Sequence, residues 1–151
     1  MLSRFRNKKI PDIYLFFSHF LDHFTILVFA KAAYDAGQDI GLTYGETIQL
    51  ATLGFILFGV ASPIAASVAD IFSRSLIMVV FHFGVGISSI MLSFSHTSFH
   101  LLLGLSSLGF FAAIFHPVGI AMLLENKERV GLRLGINGLF GNMGVASAPL
   151  I

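Results

Sequence analysis

The sequence predicts an all-α fold, a polytopic transmembrane helix bundle with five spanning helices, on three observations. Of the 151 residues, 56% are hydrophobic and 11% charged, against about 45–50% and about 25% in an ordinary soluble domain. The mean hydropathy of +0.86 leaves too little polar surface to clothe a water-soluble globule. The apolar residues fall into five stretches divided by charged and turn-forming clusters, each close to the roughly 20 residues that a helix needs to cross a hydrocarbon core. The same composition excludes other classes. A net charge of +1 with 9 basic residues scattered along the chain makes no patch for a phosphate backbone, so no nucleic-acid partner is expected. The absence of cysteine removes disulfides, thiolate metal sites and thiol nucleophiles together. The expected surroundings are a lipid bilayer.

Residues 1–10 read as a basic N-terminus and 11–151 as the transmembrane domain. The first helix is expected over about 11–33, with Pro11 at its start, where a missing N–H costs nothing. It carries His19, Asp22 and His23 and lacks a small-residue cleavage site, so it reads as a retained helix rather than a signal peptide. The second is expected over about 44–69, with Thr43 and Glu46 in capping-box spacing. The third follows over about 74–94, the fourth over about 98–124, and the fifth over about 130–151, still apolar where the sequence stops.

Lysine and arginine set the expected orientation. Arg4, Arg6, Lys8, Lys9, Arg74, Lys127, Arg129 and Arg133 fall on one side of the bundle, whereas Lys31 alone falls on the other. The N-terminus is therefore expected to be cytoplasmic and the chain to lie in the cell's inner (plasma) membrane. Five crossings then bring Ile151 to the external face.

Chemistry concentrates in the first helix, where His19, Asp22 and His23 at i, i+3 and i+4 share a face. An aspartate at a helix centre costs about 2.5–3.5 kcal/mol on insertion scales, so such a group needs partners. His19 lies roughly 12 Å and His23 roughly 18 Å from Pro11, His116 roughly 13 Å from Glu125, and Asn142 roughly 18 Å from Val130, all measured from the basic side. Polar groups from three helices thus converge on one layer near the midplane, where secondary transporters place substrate and coupling-ion sites. Inter-helix hydrogen bonding without a ligand would use the same residue types. Histidines at i and i+4 can also share zinc with a carboxylate, but H-E-x-x-H needs glutamate where Phe20 stands. No metal, cofactor or catalytic residue is assigned. His82 reads as a packing residue, and His96 and His100 as interfacial. Gly131, Gly135, Gly138, Gly141 and Gly144 recur every three or four residues and make an edge that another helix can approach closely. Pro117 should kink the fourth helix beside the polar layer.

These residues resemble the major facilitator superfamily, and within it most closely the fosmidomycin resistance transporters. The resemblance spans His19 to Ile151. Its parts are His19-x-x-Asp22-His23, similar to a family H-x-x-N-D; Phe115-His116-Pro117; and Gly141-Asn142-Met143-Gly144. The loop between the second and third helices keeps Asp70 and Arg74 of the pattern G-x-x-x-D-R-x-G-R-R and loses both glycines. Gly135, Gly144 and Ala148-Pro149 resemble the antiporter motif G-x8-G-x3-G-P, with alanine for one glycine. The resemblance implies twelve helices in two halves with a small-molecule substrate between them. This chain would be the N-terminal part, cut before helix six, with the missing C-terminal half or another copy as partner. It implies a secondary transporter and no enzyme, working by alternating access and by proton-coupled efflux through antiport. His19, Asp22, His23, His116 and Asn142 would line the pathway, and Asp70 and Arg74 the gating loop. Histidine suits protons as coupling ion because its unperturbed pKa is about 6.5. The rival reading is a small membrane protein with an interaction or regulatory role that transports nothing.

Overall fold

The computed structural model describes residues 11–125 and 128–151. The basic N-terminus with Arg4, Arg6, Lys8 and Lys9, and Lys127, lie outside the described residues. Among the described residues six helices follow one another: α1 Asp12–Asp39, α2 Tyr44–Ile71, α3 Arg74–Ser93, α4 Ser98–Ala112, α5 Phe115–Glu125 and α6 Val130–Ser147, with a closing 3₁₀ turn at Ala148–Leu150. The described residues contain no strand, and the fold is all-α as expected.

Local chemistry sets the boundaries. Thr43 and Glu46 form the expected capping box: the Thr43 hydroxyl accepts from the Glu46 N–H at 3.3 Å, and the Thr43 N–H donates to Glu46 Oε2 at 2.8 Å. Ser73 caps α3 by accepting from the Leu76 N–H at 3.1 Å, and Thr97 caps α4 by accepting from the His100 N–H at 3.2 Å. α1 runs six residues past the expected end at residue 33. Pairs at i, i+4 support its polar last turns, Lys31 with Asp35 and Gln38 Nε2 donating to the Tyr34 hydroxyl at 3.0 Å. It ends at Gly41, whose φ of 80° is left-handed and suited to glycine.

The fourth expected helix is two pieces, broken at Ala113 and Ile114. The cause is Pro117: it has no N–H to give the Ala113 carbonyl four residues back, so the break lies one turn before the proline. Pro63, by contrast, sits inside the unbroken α2. The Ser98–Glu125 run, α1, α2 and α3 are long and apolar enough to cross a membrane. The fifth expected span does not meet that standard. α6 has 18 residues, but Arg133, Asn137, Asn142 and its glycines dilute its hydropathy. Its packing partner is α1, the most extensive contact in the bundle, whereas α4 packs on both α2 and α3.

The core is filled by Leu15, Met78, Phe81, Leu101, Phe115 and Leu123, while Phe55, Phe83 and Ile90 are more than half exposed. Large apolar side chains displayed outward match a lipid-facing exterior. Two glycines let α2 and α4 cross closely. A Cβ on Gly54 would stand 2.6 Å from the Leu105 carbonyl oxygen, and one on Gly109 would collide with the Gly54 carbonyl. At one end of the bundle, ion pairs tie the helix ends together. Arg74 donates to Glu125 at 2.7 Å and Asp70 at 3.1 Å. Arg133 holds both oxygens of Asp12 at 2.5 Å and also donates to the Leu123 carbonyl.

Candidate functional site

The polar layer is built on α1, at a depth set by its helical register. Asp22 is the eleventh residue of α1, so its Cα stands about 15 Å from the helix start, near the middle of a hydrocarbon core about 30 Å thick. Its side chain is fully buried, and both carboxylate oxygens lie without a hydrogen-bond partner among the described residues. His116 of α5 stands beside it, with Nε2 3.4 Å from Asp22 Oδ2. The break before Phe115 matters here, because the segment it starts carries His116.

His19 is positioned most tightly. Its Nδ1 lies 2.8 Å from the Asn137 backbone carbonyl of α6, and its ring stacks on Phe115 with centroids 4.9 Å apart. The ring fits a notch that Gly141 leaves open: a Cβ there would stand 2.6 Å from His19 Cε1. One turn further on, Gly144 lets the α6 backbone approach the Phe20 carbonyl so closely that a Cβ would collide with it. His23 completes the cluster. Its Nε2 is 3.0 Å from His19 Nε2, and its ring centroid is 5.4 Å from that of His116. The nitrogens that His19, His23 and His116 can offer as ligands all lie within 4.8 Å of one another.

Four of the five expected pathway residues, His19, Asp22, His23 and His116, are thus brought together. Asn142 is exposed, and the contact from α6 to the layer comes from Asn137. Asn137 stands five residues nearer the start of α6 than Asn142, about 7.5 Å less deep and close to the level of His19, and it differs in rotation too: Asn137, Gly141 and Gly144 share the buried face and Asn142 is turned about 100° from Gly141. Asn137 Oδ1 is itself buried without a hydrogen-bond partner among the described residues. The expected glycine edge is divided the same way. Gly141 and Gly144 pack on α1, whereas a Cβ on Gly131, Gly135 or Gly138 would meet nothing within 4 Å among the described residues.

His82 lies in a separate knot. Its Nδ1 is 2.8 Å from the Met78 carbonyl and 3.0 Å from the Tyr14 hydroxyl, and its Nε2 is 3.2 Å from the Ser18 hydroxyl. His96 and His100 are exposed beside the turn into α4. Asp70 and Arg74 pair at the α2–α3 turn and recruit Glu125. Pro149 stands exposed in the closing turn. A cavity of about 430 Å³ opens beside the layer, between α1, α2 and α4. Its walls include Ile26, Phe29, Phe55, Phe58 and Leu108, and among the described residues His23 is the one histidine or charged side chain lining it.

Comparison with known proteins agrees with this architecture at the level of the family. No curated protein and no solved structure matches the chain. The family model described as Major Facilitator Superfamily matches residues 15–151, a stretch that contains the polar layer and all six helices but the first turn of α1. The chain is a helical membrane protein that belongs to the major facilitator superfamily, a family of transporters.

Proposed function

We propose that the chain forms the N-terminal bundle of a secondary active transporter that moves a small molecule by alternating access, through proton-coupled efflux. The observation that supports this most is Asp22, a carboxylate buried at mid-depth beside His116 of the three-histidine cluster and without a hydrogen-bond partner among the described residues. Ionisable groups at membrane depth carry a steep cost and mark ion and proton pathways. His19, Asp22, His23 and His116 form the pathway in this reading, with the exposed Asn142 facing a second bundle. The apolar cavity beside His23 is within the size of small-molecule sites, which favours an apolar or amphipathic substrate. The open edge at Gly131, Gly135 and Gly138 receives a helix of the complementary half or of another copy. Asp70 and Arg74, joined to Glu125, serve as the latch that holds one face closed.

The narrower resemblance to fosmidomycin resistance transporters, resting on Phe115-His116-Pro117 and Gly141-Asn142-Met143-Gly144, belongs to the same reading. So do placement in the inner (plasma) membrane and a cytoplasmic N-terminus, which the basic residues at one end favour. The test reconstitutes the chain with a complementary half in proteoliposomes and compares proton-driven transport with energy-independent exchange. Asp22→Asn is expected to abolish the first and spare the second, and His82→Gln to spare both. Full driven transport by Asp22→Asn would remove the coupling role, and loss of exchange as well would assign Asp22 to substrate binding or structure.

A further inference from the structure

The three histidines have an arrangement that proton handling alone does not require. The Asn137 carbonyl can only accept a hydrogen bond, so His19 Nδ1 carries a proton and Nε2 of the neutral ring presents a lone pair. That is the usual arrangement of a metal-bound imidazole, with one nitrogen anchored to a carbonyl and the other free to ligate. Stacking on Phe115 and the Gly141 notch fix the ring in this pose. The free nitrogen faces His23 Nε2 at 3.0 Å. Two nitrogens on one tetrahedral zinc, each about 2.0–2.1 Å from the ion, stand about 3.3 Å apart. His116 supplies a third nitrogen from a different helix, within 4.8 Å of the other two. The His23 and His116 rings are only half-buried, which leaves them room to turn inward.

We propose that His19, His23 and His116 together bind a divalent first-row transition-metal ion, with zinc the best fit. Three neutral imidazoles are the ligand type that suits zinc, copper and nickel rather than magnesium or calcium. Asp22 stands outside the three nitrogens, 3.4 Å from His116 Nε2, and supplies the negative charge that a dication needs away from water. The fourth position, open to the apolar cavity that His23 lines, is free for water or for a donor atom on the transported molecule. On binding, the His23 proton that bridges the two Nε2 atoms moves to Nδ1 or to solvent, and its lone pair turns to the metal. The site coincides with the pathway proposed above, but metal binding does not depend on the chain transporting anything.

The test uses the full chain, purified in detergent without a polyhistidine tag, and titrates it with Co²⁺ and Zn²⁺. One Co²⁺ per chain with the intense visible bands of a four-coordinate centre, displaced by Zn²⁺ and unaffected by excess Mg²⁺ or Ca²⁺, is expected. His23→Gln and His116→Asn should each weaken Zn²⁺ binding more than tenfold, and Asp22→Asn should weaken it less, by removing the negative charge beside His116. The double variant His96→Ala, His100→Ala should bind as the parent does. Absence of stoichiometric binding, or binding that survives His23→Gln with His116→Asn or is lost with His96 and His100, overturns the proposal. X-ray absorption of the zinc-loaded parent chain decides independently of how the variants fold: three imidazole ligands support the site, and fewer than three reject it. Neither result bears on the transport assay, so metal binding and transport can fail separately.

Discussion

Replacing Gly54 by alanine probes the close crossing of α2 and α4, and the structure predicts the sign of the effect. Taken alone, glycine to alanine inside a helix stabilises by about 0.5–1 kcal/mol, because alanine loses less backbone freedom on folding. Gly59, on the same helix, meets nothing within 4 Å among the described residues, so Gly59→Ala should show that gain unopposed. At Gly54 the new methyl would stand 2.6 Å from the Leu105 carbonyl oxygen. The neighbour must retreat by about 0.8 Å to reach ordinary contact, and a backbone carbonyl in a close-packed interior does not yield as a side-chain end does. Overpacking of this kind costs about 1–3 kcal/mol. Gly54→Ala should therefore be destabilised by up to about 2.5 kcal/mol, or nearly two orders of magnitude in the folding equilibrium at the upper end. Gly109→Ala, whose methyl would strike the Gly54 carbonyl, should behave in the same way. Denaturant unfolding in micelles, followed by circular dichroism, measures both signs side by side. Equal stability of Gly54→Ala and Gly59→Ala would refute the crossing geometry.

Three further outcomes follow from named contacts. Arg133→Lys keeps the charge but loses the two-point grip on Asp12 and the bond to the Leu123 carbonyl; a loss of about 1–3 kcal/mol, with faster amide exchange at the starts of α1 and α6, is expected. Pro117→Ala restores the N–H that the Ala113 carbonyl lacks, so exchange at residue 117 should be slow and α4 and α5 should join; an unchanged break would assign it to tertiary packing instead. Glu125→Gln removes one partner of an Arg74 side chain that keeps Asp70, and since both carboxylates are largely exposed the cost should stay below about 1 kcal/mol by thermal unfolding.

Much of the bundle was legible because its signals are local. Hydropathy located the helices, and the Thr43–Glu46 capping box opens α2 as its spacing implies. The misplaced boundaries have local causes too. The hydropathic end of α1 lies at residue 33, but i, i+4 pairs in the last turns need no apolar side chain to continue the helix. A proline signals a kink but acts on the carbonyl four residues back, which is why the break falls at Ala113 and Ile114. At the site, His19, Asp22 and His23 follow from one helical face, and His116 from depth alone. The partner on α6 did not follow: Asn142 lies about 7.5 Å deeper than Asn137 and on a different face, and the bond from His19 goes to a backbone carbonyl, which no side-chain pattern encodes. The Gly54–Gly109 crossing was hidden for a similar reason. Gly54 is one of three glycines in α2 and Gly109 one of two in α4, at spacings of five and nine that mark no single helix face, so the crossing shows only when the helices are laid together.

The central proposal, a proton pathway through the histidine layer, requires water to reach that layer in the middle of the membrane, and cysteine chemistry tests it most directly. The chain has no cysteine of its own, so a single introduced thiol is the only reactive group. Water-soluble thiol reagents attack the thiolate, which forms readily only where water reaches. His23→Cys, in proteoliposomes, is predicted to react with a small charged methanethiosulfonate, and Phe83→Cys, at an outward position of α3 where the phenylalanine is 69% exposed, to stay unreactive in lipid. An inert thiol at position 23 from both sides of the membrane, or a reactive one at position 83, would contradict the account.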